Sequence, residues 1–440
     1  MLKRPELLAP AGSIAMLDTA LAYGANAIYA GQPRYSLRVR NNDFGDLAVL
    51  KSGMDRVHAA GAKFYLVSNI YPHGAKLKTY LRDMAPVIAL GPDALIMSDP
   101  GLMMMVREAW PEQAIHLSVQ SNTVNAAAVK FWARNGVSRV ILSRELSLDE
   151  IADIRQACPD TELEVFVHGA LCIAYSGRCL LSGYFSHRDP NQGSCTNSCR
   201  WDFRLREGRA DASGDVYLIE EQGRRQGDYN LIEEDEHGTY ILNSKDLRAI
   251  EHVQRLMEIG VDSLKIEGRT KSPYYVARVC QAYRQAIDDA AVGQSFDPLL
   301  LDSLDGLANR GYTSGFFDRH HDASHQNYER GNSESSRSLY VGDVVSFDAA
   351  RGLAEVAVKN RFALGDRLEL VQPAGNRSFV LDAMESAEGA PLSVAPGSGH
   401  RVWLPLSADS VGAFVARYLE VSEAVTDEPA VTACGAGGCS

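Results

Sequence analysis

Across its first 290 residues the chain repeats one rhythm: a short apolar run, a polar loop, then an amphipathic stretch. The apolar runs are ELLAPAG (6–12), NAIYAGQ (26–32), AKFYLVSN (62–69), DALIMSD (93–99), AIHLSVQSN (114–122), SRVILSREL (138–146), LEVFVHG (163–169) and SLKIEGR (263–269). Between them lie stretches such as SIAMLDTALAYG and AAAVKFWARNG, with apolar positions three and four apart and glycine where a helix would end. Strands alternating with helices predict a parallel sheet. Eight repeats suit an α/β fold of the (β/α)8, TIM-like barrel type, with a doubly wound open sheet as the alternative.

Nearly every run ends in a chemically capable side chain: Asn69, Asp99, Gln120 with Asn122, Arg144 with Glu145, His168, and Glu267 with Arg269. The C-terminal ends of barrel strands converge on one face, where active sites of this fold lie. Any one of these residues alone reads as the start of a loop. Together they predict an enzyme, with Gln120, Asn122, His168 and Glu267 as candidate catalytic groups.

The rhythm breaks once, after strand seven. Residues 170–243 hold a cysteine cluster and then WDFRLREG, VYLIEE and TYILNS, a pattern that predicts a β-meander inserted at the catalytic end. SKDLRAIEHVQRLMEIG predicts a helix that resumes the barrel, with Ser244 as its N-cap. The barrel domain is thus expected over residues 1–330, with a polar linker over 331–338. LYVGDVVSF, LAEVAVKN, DRLELVQP, RSFVLDAM and HRVWLPL then predict a small antiparallel β-barrel over 339–420, and residues 421–440 read as a loose tail.

Composition narrows the class rather than the reaction. The 440 residues are 45% hydrophobic and 23% charged, ordinary for a soluble chain. The start, MLKRPELLAPAG, has no apolar signal-peptide core, and the apolar run DPGLMMMVREAW is far too short to span a bilayer. The expectation is a cytoplasmic protein without a membrane segment, in which clustered cysteines bind metal rather than form disulfides. A net charge of −12 argues against indiscriminate nucleic-acid binding but leaves room for a local basic face. Oligomeric state is not legible.

Four of the eight cysteines, Cys172, Cys179, Cys195 and Cys199, fall within 28 residues with the spacing C-x6-C-x15-C-x3-C. This matches neither the paired C-x2-C of zinc ribbons nor the C-x2-C-x2-C of bacterial ferredoxins. Spacing alone leaves structural zinc and a [4Fe–4S] cluster both open. A position at the barrel mouth, with small and polar neighbours able to offer backbone N–H groups to sulfur, favours the cluster. Cys158 and Cys280 lie in helical patterns and read as buried small hydrophobes.

The segment ELEVFVHGALCIAYSGRCLLS (162–182) resembles the signature of the peptidase U32 family, through Glu164, Phe166, Gly169, Ala170, Leu171, Cys172, Gly177, Cys179, Leu181 and Ser182. The likeness continues through YSLRVRNNDF, LSVQSNT, LSRELSLDEI, KIEGRTKSPYYVA and NRGYTSGFF, nearly to residue 420. A chain of this length with one C-terminal β-domain is most similar to the branch of prephenate-dependent tRNA uridine hydroxylases. The resemblance implies that the four cysteines hold a [4Fe–4S] cluster. It implies prephenate as co-substrate and 5-hydroxyuridine at the tRNA wobble position as product, formed without O2. Other branches hydroxylate ribosomal RNA or serve ubiquinone synthesis.

Those expectations single out further residues. Prephenate is a dicarboxylate and calls for paired cations. Arg38 and Arg40, two apart in SLRVRNN, would share one face if extended, and Arg144 and Arg269 stand at strand ends. The plainer reading of each arginine is an ion pair, with Glu145 and Glu267 as the obvious partners. The anticodon loop would need a basic face, for which Arg200, Arg204 and Arg206 beside Trp201 and Phe203 are candidates, or else simply a solvated edge. The family name offers proteolysis as an alternative, but the chain contains neither G-x-S-x-G nor H-E-x-x-H. A flavin-dependent tRNA reductase would want glycine-rich phosphate loops after strands seven and eight, and strand seven opens into cysteines instead.

Overall fold

In the computed structural model the chain forms two compact units, Met1–Leu304 with Ala308–Glu334, and Asp305–Leu307 with Ser335–Ser440. The structure describes residues 2–31, 34–37, 42–171, 245–268, 271–307, 311–318 and 338–419, and the backbone alone of 203–207, 216–221, 229–235 and 238–239. Among the described residues, no helix is long and apolar enough to cross a membrane.

The first unit is a closed parallel barrel. Seven strands come in order: β1 (Glu6–Pro10), β2 (Ala27–Gly31), β3 (Lys63–Ser68), β4 (Ala94–Met97), β5 (Ile115–Leu117), β6 (Arg139–Ile141) and β7 (Glu162–Ala170). Then come β8 (Phe203–Glu207), β9 (Val216–Glu221), β10 (Tyr229–Asp235) and β11 (Gly238–Thr239), a separate antiparallel sheet in the order β11-β10-β9-β8. β12 (Asp246–Arg248) follows, and β13 (Ser263–Ile266) pairs in parallel with both β1 and β7 and so closes the barrel. β14 (Tyr312–Thr313) lies beside β12.

The helices that wrap the barrel start where short polar side chains satisfy their first amides. Ser13, Asp46, Asp99, Asn125, Ser147 and Ser272 each accept a first-turn backbone N–H, and Ser147 with Glu150 forms a full capping box. Asp99, one of the polar residues at the strand ends, is therefore committed to capping: its carboxylate accepts from the Leu102 N–H at 2.8 Å.

Two expectations about the insertion change. The stretch predicted as a helix from Ser244 begins instead, within the described residues, as strand β12, a 3-10 turn at Ile250–His252, and a helix only at Val253–Ile259. The reason is β7. It runs nine residues while β6 ends at Ile141, opposite Glu164, so its C-terminal half would keep unpaired backbone groups. β12 covers them, pairing antiparallel with His168–Ala170, and the Ala249 N–H reaches the Val167 carbonyl at 2.9 Å. In the meander, a strand at Tyr229–Asp235 pairs Leu231 with Leu218, and of TYILNS only Thr239 is among the described residues, in a short strand beside it. The acidic run in YNLIEED hid that strand in the sequence.

Charge lies inside the barrel. Glu164 on β7 is fully buried and receives Lys265 of β13 at 2.7 Å and Arg139 of β6 at 3.3 Å. Arg139 also meets Glu6 of β1 at 2.6 Å, and Glu6 accepts from Tyr65 and Ser263 at 2.6 and 3.0 Å. Burial opposes the Arg139 charge, but Glu6 and Glu164 outweigh it and raise its pKa. His116 of β5, packed edge-on to Tyr65, is pushed well below the ordinary histidine range by burial first and then by Arg139 and Lys265. It remains neutral.

In the second unit, strands β15 (Ser338–Asp348), β16 (Leu353–Val358), β17 (Phe362–Ala363), β18 (Arg367–Val371), β19 (Arg377–Val380), β20 (Glu385–Ser386), β21 (Val394–Ala395), β22 (Arg401–Leu404) and β23 (Phe414–Tyr418) form antiparallel sheets. Seven run in the order β19-β18-β23-β15-β16-β22-β20, and β17 pairs with β21. Alternate residues such as Val356, Leu368, Leu370, Val402 and Val415 point into one apolar core together with Phe362.

Removing one partner from a buried ion network strands the other charge, so Lys265→Ala should lower unfolding stability by about 3–5 kcal/mol in urea titration. Lys3→Ala, at the exposed Lys3–Asp262 pair, should cost less than about 1 kcal/mol. Equal losses would show that the barrel charges do not act as a network.

Candidate active site at the barrel mouth

The residues at the C-terminal ends of β3, β5, β6, β7 and β13 form one linked rim. After β5 the chain makes a 3-10 turn, Val119–Ser121, and Asn122 then adopts a left-handed conformation (φ 50°), which asparagine tolerates better than most residues. The Asn122 carboxamide oxygen accepts from the Ser143 hydroxyl at 2.7 Å, tying the loop after β5 to the loop after β6. The Tyr71 hydroxyl donates to the Gln120 carbonyl at 3.1 Å and fixes the same turn from the β3 side. Gln120 and Asn122 are thus held on one rigid corner, and the Gln120 Oε1 is buried without a hydrogen-bond partner.

Asn69 serves the frame. Its side chain accepts from the Leu37 N–H at 3.1 Å and donates to the Ser118 hydroxyl at 3.3 Å. Asn42 accepts from the Phe44 N–H at 2.9 Å and donates to the Gly31 carbonyl. Both anchors hold chain at the ends of β2 and β3. Arg38 and Arg40 lie between Leu37 and Asn42 in sequence, outside the described residues.

Arg144 is the organiser of the β7 end. Its guanidinium stacks on the Phe166 ring at 3.9 Å, donates to the Ala170 carbonyl at 2.8 Å, and lies 3.8 Å from the Glu267 carboxylate. Two expected site residues, Arg144 and Glu267, therefore meet. Glu267 is itself fixed by backbone, its N–H donating to the His168 carbonyl at 2.8 Å. The neighbouring Gly169 has φ +109°, and a Cβ there would stand 2.3 Å from the Glu267 carbonyl oxygen. Glycine is required for the two strands to approach so closely. The Glu145 side chain, by contrast, does not pair with Arg144, and its Oε2 is buried with no partner.

His168 does not join this rim. A bulge at Val167 shifts the register, so that Lys265 faces Phe166 but Ile266 faces His168. His168 thereby packs with Tyr275, Tyr283 and Tyr312, ring centroids 5.8, 5.5 and 5.5 Å away, beneath the helix Pro273–Ala291. Burial first, then Lys271 and Arg248, depress its pKa to about 3, and its Nε2 has no partner. As placed, it is a neutral part of the barrel wall.

The four cysteines Cys172, Cys179, Cys195 and Cys199 lie outside the described residues, as do Arg200 and Arg269. Arg204 and Arg206 occupy alternate positions of β8, whose backbone alone is described. Cys158 and Cys280 are buried free thiols, as their helical context implied.

Residues 12–327 match the peptidase family U32 model and residues 336–416 its C-terminal domain, so the chain belongs to the U32 family. It is 57% identical over 431 residues to tRNA hydroxylation protein P of Escherichia coli, covering 92% of this chain and 94% of that one. The protein of the same name from Haemophilus influenzae is 53% identical over 433 residues, with the same coverage of both chains. The E. coli 23S rRNA 5-hydroxycytidine C2501 synthase is 30% identical over 84% of this chain and 52% of its own length.

Because His168 is neutral when folded and titrates near 6.5 when unfolded, the unfolded chain binds more protons between pH 6.5 and about 3. Stability should fall as pH drops through that window. His168→Phe should flatten the loss measured between pH 7 and 5 by urea midpoints, and an unchanged pH slope would contradict the buried neutral assignment.

Proposed function

We propose that this chain is a tRNA hydroxylase that converts wobble uridine to 5-hydroxyuridine without O2, with prephenate as co-substrate and a [4Fe–4S] cluster on Cys172, Cys179, Cys195 and Cys199. The observation that carries the reading is near full-length similarity, at 57% identity, to a protein named for tRNA hydroxylation. The orphaned polar atoms on the loops at the barrel mouth support it, because buried unpaired groups mark a place where a ligand completes the hydrogen bonding.

The donor set suits the cluster. Four thiolates are soft ligands of the number a [4Fe–4S] centre takes, and they begin one residue after Leu171, at the mouth end of β7. When bound, the cluster supplies the one-electron chemistry that side chains lack. The protein supplies placement. Gln120 and Asn122, on their rigid corner, offer amide groups to the hydrogen-bonding edge of the pyrimidine, and a single-stranded wobble base is splayed out at little unstacking cost. Arg38, Arg40 and Arg269 supply the cations for the two prephenate carboxylates. Arg144, already holding Ala170 and Glu267, keeps a buried Nε without a partner and so has a further donor to offer. Glu267 fixes that guanidinium. Arg200, Arg204 and Arg206 provide the positive edge that the phosphates require on a chain of net charge −12.

Protein purified without oxygen should carry about four irons per chain, with a broad iron–sulfur absorption band that Cys172→Ala abolishes. A flavin spectrum, or zinc alone, would refute the cofactor assignment. Nucleosides of tRNA from cells lacking this gene and any redundant hydroxylase should lose 5-hydroxyuridine, and unchanged levels would refute the substrate assignment. Arg38→Ala and Arg40→Ala should each raise the KM for prephenate about tenfold or more, the scale of a lost charge-assisted contact.

A further inference from the structure

Glu145 is the acid at the mouth with no assigned work. Sequence proximity makes it the natural partner of Arg144, yet the guanidinium stacks on Phe166 and binds the Ala170 carbonyl and the Glu267 side. The helix that follows has no need of Glu145 either, since Ser147 and Glu150 complete its capping box. What remains is a half-buried carboxylate whose Oε2 is shielded from water and receives no hydrogen bond. Such an atom forfeits its hydration with nothing in return unless a ligand provides a donor.

The chemistry of that ligand group is constrained by sign and by pattern. A phosphate or carboxylate would be repelled. On the reading of the mouth as the tRNA site the donor is neutral, because a nucleotide at neutral pH offers only uncharged N–H and O–H donors. A uracil edge presents its single N–H between two carbonyl acceptors, which an acceptor-only carboxylate would face unfavourably, whereas an amide such as Gln120 matches donor and acceptor together. A hydroxyl has no such conflict. In doubly wound dinucleotide-binding folds a carboxylate takes a ribose 2′-hydroxyl in this way. The loops of Gln120 and Glu145 are also joined, through Ser143 to Asn122 and through the Ser143 N–H to the Thr123 carbonyl at 3.2 Å, so an amide for the base and a carboxylate for the sugar stand on neighbouring loops.

We propose that Glu145 accepts a hydrogen bond from the 2′-hydroxyl of the target nucleotide and so selects ribose at the position to be modified. The proposal rests on the reading of the mouth as the tRNA site. It makes Glu145 a specificity residue that acts on the sugar, not on the pyrimidine.

The test is a cycle between protein and RNA. Anaerobically purified holoenzyme, wild type and Glu145→Ala, is titrated with an anticodon stem-loop carrying either a ribonucleotide or a 2′-fluoro nucleotide at the wobble position. Fluorine removes the donor while keeping the ribose-like pucker. Wild type should bind the fluoro RNA about tenfold or more weakly, the scale of a lost hydrogen bond to a charged group. Glu145→Ala should bind both RNAs with the weaker affinity, so that the two losses do not add. Glu145→Gln, which keeps the size and a neutral acceptor, should fall between the two and serves if the alanine variant does not fold. Equal discrimination by wild type and variants overturns the proposal while leaving the tRNA reading intact. Failure of the wild-type enzyme to bind or hydroxylate the all-ribose stem-loop overturns both.

Discussion

The barrel depends on the buried charges that span its closing seam. β1, β6, β7 and β13 each contribute one member of the Glu6, Arg139, Glu164, Lys265 set, and β13 is the strand that joins the two ends of the sheet. Arg139 also meets the more exposed Glu162 at 2.9 Å, so every charge of the buried set has an opposite partner and only the Glu162 end of the network reaches solvent. Such a network contributes little net stability over an apolar packing of equal volume, but it penalises any misplaced strand heavily, because a slipped register would strand a charge. The apolar faces of the strands then drive collapse without having to specify the closure.

The active face is a consequence of mismatched strand lengths. β7 outruns β6, and its overhang demands new partners. β12 supplies some of them, and Arg144 supplies another by bonding the Ala170 carbonyl. The same overhang carries the bulge that turns His168 to the outer layer and the Gly169 contact that lets Glu267 approach. Extending one strand therefore builds the wall from which the cysteine segment departs and fixes the arginine and carboxylate beside it. The orphaned acceptors of Gln120 and Glu145 lie on the adjacent loops, which Ser143 holds together.

Much of the barrel was legible because its strands are short apolar runs repeated at regular intervals, and burial on both faces leaves that mark on composition. The N-capped helices were legible for a similar reason, since Ser, Asp and Asn at helix starts act within a few residues of themselves. β12 was not. LeuArg between acids in SKDLRAIEHVQ reads as helix at short range, and only the unpaired backbone of β7, far away in the chain, makes it a strand. His168 was misplaced for a related reason: strand alternation points it inward with Glu164 and Phe166, and a single extra residue at Val167 reverses the face.

By itself, then, the sequence determined the repeating strand–helix order, the β-rich C-terminal unit, the family signature and the clustering of four cysteines after strand seven, because each is written in local pattern or spacing. Tertiary structure alone decided which charges meet. It paired Arg144 with Glu267 rather than its neighbour Glu145, and it placed Glu164 and Lys265 face to face inside the barrel across 101 residues of chain. Ion pairs depend on distances set by the closed sheet, and adjacency along the chain does not encode them. Leaving Glu145 without a partner is the clearest product of that geometry.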